Sequence, residues 1–120
     1  MRVELDAFSG RPNPVWEATA PESAELLSLL RRLRTSADPV EPPGLGYRGF
    51  LLAGLGAPVR GLPPSLRVGA GVVQAADAPG SAFRDDQGLE ALLVAQATAH
   101  GFGELVRVLR LPGSQAGEPD

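Results

Sequence analysis

Residues 2–8 alternate: Val3, Leu5 and Ala7 share one parity, while Arg2, Glu4 and Asp6 share the other. A period of two is that of a β-strand with one buried and one wet face. Beyond an interruption by Pro12 and Pro14, residues 15–18 read as a returning strand, across a connection too long and too proline-rich for a two-residue turn. The period then changes. Thr19-Ala20-Pro21-Glu22 supplies a hydroxyl, a first-turn proline and a glutamate three residues after the threonine, which together predict a helix start. That helix is expected to run to about Leu33, with Leu26, Leu29, Leu30 and Leu33 as its buried stripe. Glu22 and Glu25 fall at the positive end of its dipole and Arg31, Arg32 and Arg34 at the negative end, as complements on a solvated face.

Residues 35–46 contain Pro39, Pro42, Pro43, Gly44 and Gly46 and carry no period, so a long loop is expected. Residues 47–55 are apolar on both parities, with Tyr47, Leu51 and Leu55 on one face and Phe50 and Leu52 on the other, the pattern of a central strand. Residues 66–75 predict a further strand. Leu66, Val68, Ala70 and Val72 line one of its faces, and Gly69 and Gly71 leave the other open to close approach by a helix or an extended ligand. A loop over 77–84 leads to Asp85 and Asp86, either of which suits the N-cap of a helix over about 87–99 with Leu89, Leu92, Leu93 and Ala97 as its stripe. Gly101 is placed to end that helix in left-handed geometry. Residues 105–111 fit a closing helix or an edge strand equally, and residues 112–120 have the composition of a disordered tail. The expected fold class is therefore α+β: an antiparallel sheet of about four strands with two helices packed on one face. One domain spans 1–111 and a disordered tail 112–120.

Composition narrows the chemistry. A chain of 120 residues can bury enough surface to fold without covalent staples. The absence of cysteine removes thiolate nucleophiles and cysteine metal sites, and fits a reducing, cytoplasmic setting. A net charge of −3 argues against a nucleic-acid partner, which needs a basic face. No apolar run approaches ~18 residues and the opening pattern is that of a strand, so neither a membrane nor a leader segment is expected. Every basic residue is arginine. With abundant Ala, Gly and Pro that is the composition of a GC-rich genome, although the guanidinium fork also suits bidentate recognition of carboxylates.

Catalytic sets are thin. His100 is the single histidine. Ser9, Ser65 or Ser81 would formally complete a triad with it and a nearby aspartate, but any sequence of this size offers such combinations. At a helix C-terminus His100 also serves as a cap for free carbonyls. One histidine and scattered carboxylates make no zinc set, so no metal and no cofactor are expected. Gly44-Leu45-Gly46 and Gly69-Ala70-Gly71 lack the lysine or helix start of a phosphate cradle.

The unusual stretch is residues 8–16, Phe-Ser-Gly-Arg-Pro-Asn-Pro-Val-Trp. Two prolines fix φ and bias their predecessors toward extended geometry, so Arg11 and Asn13 are presented at defined angles before the only tryptophan. An arginine with an aromatic has the composition of a binding hot spot. On that reading Ser9, Arg11, Asn13 and Trp16 bind a ligand, joined by Tyr47 and Arg48 of a second aromatic–arginine set, Tyr47-Arg48-Gly49-Phe50. The competing reading makes Trp16 the core anchor of the hairpin, pairs Arg11 with Asp6 or Glu17, and assigns Phe50 to core packing.

The string from Phe8 to Pro14 followed by Trp16, with a leucine-rich helix and a later Tyr-Arg-Gly-Phe strand, resembles a motif of small microbial proteins. It is similar to the peptide-binding accessory proteins of ribosomally made peptide pathways of the crocagin type. The resemblance implies a non-catalytic module that holds a precursor peptide for modifying enzymes. The residues lead to the same class: a peptide- or protein-binding module taking an extended chain along a sheet edge or an open face. Two alternatives stand beside it: a small pocket enzyme using His100 or Asp6 as base, and a structural homodimer module pairing across a two-fold axis.

Overall fold

The computed structural model describes residues 1–7, 12–41, 47–54, 64–76, 82–109 and 111. Among them are seven strands in one antiparallel sheet: β1 Arg2–Leu5, β2 Val15–Glu17, β3 Ser36–Ala37, β4 Phe50–Ala53, β5 Leu66–Gly69, β6 Val72–Ala75 and β7 Ala82–Arg84. Their order across the sheet is β2-β1-β4-β5-β6-β7-β3. The helices are α1 Ala20–Leu30, α2 Leu89–Ala97 and α3 Gly103–Leu109. Antiparallel α+β architecture is as the patterns predict, but the sheet is larger than the four strands expected.

Each of the extra strands has a physical reason. Residues 66–75 are not one strand: Ala70 (φ +54°) and Gly71 (φ +76°) form a two-residue turn, and Gly69 pairs with Val72 across it. Positive φ at both central positions is the geometry that matches the right-handed strand twist of a tight hairpin. The strands β3 and β7 lie in segments expected to be loops. At two and three residues they are too short to show a period, and they pair with each other, Ser36 opposite Phe83 and Ala37 opposite Ala82.

Register divides the sheet into two chemically distinct faces. Val3 lies opposite Trp16 and Leu52, Leu5 opposite Phe50, Phe50 opposite Val68, and Val68 opposite Val73. These side chains are buried in one core with Leu26 and Leu30 of α1, Leu89, Leu93 and Ala97 of α2, and Val106 of α3. The helices thus cover one face. On the other, a lateral row runs Glu4, Leu51, Arg67, Gln74, Ala82, which is polar at its centre.

Helix α1 starts at the predicted capping box: the Thr19 hydroxyl accepts the Glu22 N–H at 3.3 Å, and the Glu22 carboxylate accepts the Thr19 N–H at 2.9 Å. It stops at Leu30, and Leu33 packs into the core from the turn that follows. The N-cap of α2 is Gly88 at φ +74° rather than Asp85 or Asp86 as expected, and Asp85 serves the helix start from further back, its carboxylate accepting the N–H groups of Leu89 and Glu90 at 2.7 and 2.9 Å. Asp86 accepts the Thr35 hydroxyl instead. After α2, one wide turn over Thr98–Phe102 carries Gly101 at φ +96°, the left-handed stop expected there, and the 105–111 ambiguity resolves as helix α3. The tail over 112–120 lies outside the described residues.

Candidate functional site

The polar face is organised by Asp6, the first residue beyond β1. Alternation along β1 places its side chain on the same side as Glu4, away from the core, yet it is 5% exposed. What covers it is charge. Arg48 donates from Nη2 to Oδ1 at 2.7 Å and Arg67 from Nη1 to Oδ2 at 2.9 Å, while Asn13 Nδ2 reaches Oδ1 at 3.4 Å. One buried carboxylate therefore holds two guanidiniums, and the trio carries a net charge of +1. Arg67 is further fixed by donating to the Arg48 carbonyl at 2.9 Å.

Backbone geometry explains how Arg48 gets there. The β1–β4 ladder continues one step, with Asp6 donating to the Gly49 carbonyl and Arg48 donating to the Asp6 carbonyl. Gly49 sits at φ +111°, and a Cβ there would lie 2.7 Å from the Val68 carbonyl oxygen. Only glycine fits on both counts. Gly69 is the other half of the contact: its Cβ would lie 2.9 Å from Gly49 Cα. The close approach anticipated at Gly69 is thus made by the backbone of residues 48–49, and neither a helix nor a ligand occupies it.

Beside this cluster lies a cavity of ≈ 480 Å³. Arg48, Arg67 and Gln74 line it from the sheet, the Gly69–Gly71 turn closes one end, and Val40 and Glu41 form a wall. That wall is pinned by a side-chain amide acting as a strand partner: Val40 N–H donates to Gln74 Oε1 at 3.1 Å, and Gln74 Nε2 donates to the Val40 carbonyl at 2.7 Å. Tyr47 and Glu90 also line the cavity, the Glu90 carboxylate accepting the Tyr47 hydroxyl. Asp85 N–H bonds the Gly71 carbonyl, which brings the start of α2 up to the turn. Burial, reinforced by the nearby Asp85 carboxylate, pushes the Glu90 carboxyl above its ordinary range against the opposing Tyr47 hydrogen bond. Burial and the Glu90 hydrogen bond and charge push the Tyr47 phenol up in turn.

The sequence-predicted site residues separate into three groups. Tyr47 and Arg48 line the cavity. Asn13 braces the cluster beneath it: its Oδ1 accepts the Ala7 N–H at 3.1 Å, and its Nδ2 donates to Glu4 at 2.9 Å as well as to Asp6. Trp16 lies in the core at 7% exposure, edge-on to Phe50 and packed against His100 and Phe102. That is the packing alternative for this residue, and its indole N–H is buried with no hydrogen-bond partner among the described residues. Ser9 and Arg11 lie outside the described residues. Arg67, Gln74 and Glu90 were not anticipated. An arginine, a glutamine and a glutamate between apolar residues read as a solvated face, and their partners Asp6, Val40 and Tyr47 are more than thirty residues away in sequence.

Of the two bases proposed for an enzyme, neither lines the cavity. His100 stacks on Trp16 at 5.5 Å and its Nε2 lies 2.8 Å from a Glu22 carboxylate oxygen. Burial works against ionisation of Glu22, but the His100 hydrogen bond and charge and the Thr19 N–H hold its carboxyl below the usual range. Asp6 is committed to its two guanidiniums. Among the described residues no group of three or more His, Cys, Asp or Glu could hold a metal ion, and no helix is long and apolar enough to cross a membrane.

No protein-family model matches this chain, and neither does any curated protein or any solved structure.

Proposed function

We propose that this protein is a non-catalytic peptide- or protein-binding module that takes an extended segment of its partner across the polar face of the sheet and anchors one residue of it in the cavity. The single observation that carries this reading is the pair of guanidiniums lining that cavity, each fixed by Asp6 through one nitrogen. Fixed donors at the base of a concave, largely apolar site give orientation, and the surrounding surface gives contact area. Holding Arg48 and Arg67 on a buried carboxylate removes rotamer freedom before the partner arrives, which lowers the cost of association. The motif resemblance supplies a partner: a precursor peptide held for modifying enzymes of a natural-product pathway in the cytoplasm. Trp16 drops out of the contact set because it is buried, and Arg67 enters it.

A randomised octapeptide library passed over the immobilised full chain, with bound peptides read by mass spectrometry, tests the reading. Val40 lines the cavity and is 39% exposed, so Val40→Trp narrows the space while leaving Asp6, Arg48 and Arg67 unsubstituted. The wild type is expected to retain a defined subset of peptides, and Val40→Trp, at an unchanged melting temperature, to lose it. No retention by the wild type, or equal retention by both, overturns the proposal.

A further inference from the structure

Resting on the peptide-binding reading, we infer that the cavity beside β5 recognises a single carboxylate carried on an apolar body, the free C-terminus of a peptide ending in a large hydrophobic residue. The charge count sets the valence. Arg48 and Arg67 contribute +2 and Asp6 removes one, so the trio itself can accept one further negative charge, and Glu41 and Glu90 on the same cavity limit the site to no more than one. A dianion such as a phosphate ester would leave an excess negative charge facing Glu41 and Glu90, which line the same cavity; like charges in a partly desolvated site are costly.

Geometry sets the group. Arg67 uses Nη1 on Asp6 and on the Arg48 carbonyl, and Arg48 uses Nη2 on Asp6. Among the described residues the remaining guanidinium nitrogens make no hydrogen bond, so each side chain still offers part of its planar fork. Two forks side by side match the oxygens of one carboxylate. The side chains are only 30% and 18% exposed, which weakens competition from water. A neutral amide in that position would leave the trio's one remaining positive charge unmatched.

Size and lining set the rest. A volume of ≈ 480 Å³ falls at the lower end of the range for small-ligand pockets, roughly 300–1,000 Å³, enough for one or two residues at a chain end. Val40, the Tyr47 ring and the Gly69–Ala70 backbone offer apolar surface to a hydrophobic side chain. Gln74 already gives its amide oxygen and one N–H to the Val40 backbone.

The test synthesises one octapeptide library twice, with Leu, Ile, Phe, Tyr or Trp at the last position, once as free acids and once as C-terminal amides. Binding to the full chain is measured by affinity capture and then by calorimetry on the best sequence, with 4-phenylbutyrate and its amide as probes of a free small acid. The acid is expected to bind at least tenfold tighter than its amide. That ratio should fall below threefold in Arg48→Met and in Arg48→Lys, the second of which keeps the charge but lacks the fork; melting temperatures are recorded alongside. Equal binding of acid and amide overturns carboxylate recognition and leaves the peptide reading intact. Binding of 4-phenylbutyrate, but of no peptide, upholds the carboxylate site and overturns its peptide source. Binding of neither class overturns both. A ratio unchanged in stably folded Arg48 variants overturns the assignment to this cavity.

Discussion

Replacing Arg67 by methionine isolates the interaction on which the polar face depends. Methionine keeps most of the apolar stem that packs along the sheet, and it removes the guanidinium. Lost are the 2.9 Å charge-assisted bond to Asp6 Oδ2 and the 2.9 Å bond to the Arg48 carbonyl. A hydrogen bond to a charged group contributes about 1.5–3 kcal/mol. Asp6 stays paired with Arg48 and Asn13, so the larger cost of leaving a buried charge with no partner, about 3–5 kcal/mol, does not apply. The expected loss is ~2 kcal/mol, equivalent to about 8 °C at roughly 4 °C per kcal/mol for a domain of this size. Urea unfolding at pH 7 measures it as a shift in midpoint at unchanged slope. Combining Arg67→Met with Asp6→Asn in a double-mutant cycle should return a coupling of at least ~1 kcal/mol. Because the Arg67 side chain is 18% exposed and the Asp6 side chain 6%, added salt should reduce the coupling only slightly. A loss under ~0.5 kcal/mol, or a coupling that disappears in salt, would mean that the trio is an ordinary surface ion pair and positions nothing.

Three further substitutions probe the surrounding frame. Gly49→Ala places a Cβ 2.7 Å from a backbone carbonyl at φ +111° and should cost at least ~2 kcal/mol in urea unfolding; a cost near zero would show that the 48–49 backbone is not locked against β5. Ala70→Asn puts a residue tolerant of positive φ into a two-residue turn where Ala70 has φ +54°, and should stabilise by about 0.5–1 kcal/mol by the same assay; destabilisation would argue against that turn geometry. Glu90→Gln keeps an acceptor for the Tyr47 hydroxyl and removes a buried charge. Since the Glu90 carboxyl is raised in the folded state, the folded protein holds the proton more tightly, and wild-type stability falls as pH rises from the unfolded value through the folded one. The stability difference should therefore move in favour of Glu90→Gln from about pH 4 upward; a flat difference would refute the raised carboxyl.

The sequence carried its fold unevenly, and the reasons are local. The alternation of residues 2–7 declared β1 because one face is apolar and the other charged at every step. The Thr19–Glu22 box declared α1 because a capping box has fixed spacing. Gly101 declared the end of α2 because left-handed geometry at a helix end strongly favours glycine. By contrast, Ala70 concealed the β5–β6 turn, since alanine seldom takes positive φ, and the flanking alternation continues in phase through it. Strands β3 and β7 are specified by each other rather than by their own composition. The site was half legible. Tyr47 and Arg48 stood out as an aromatic–arginine pair next to a proline-rich segment. Arg67 did not, because a single arginine between Leu66 and Val68 is what any half-wet strand shows. Its meaning arises only when Asp6, 61 residues earlier, comes to the adjacent row. Trp16 misled in the other direction: its rarity and its rigid approach suggested display, whereas its parity with Val3 places it in the core.

The most direct test of the central claim is an NMR titration of the full chain, with the best free-acid peptide added to uniformly labelled protein and the arginine Nε–H signals resolved alongside the backbone. A peptide seated with its carboxylate on the Asp6 cluster should shift the side-chain signals of Arg48 and Arg67 and the amides of Gly69–Gly71, Val40 and Tyr47. The exposed edge at Val15–Glu17 should remain in place. Shifts confined to that edge, with both arginine side chains unmoved, would contradict it.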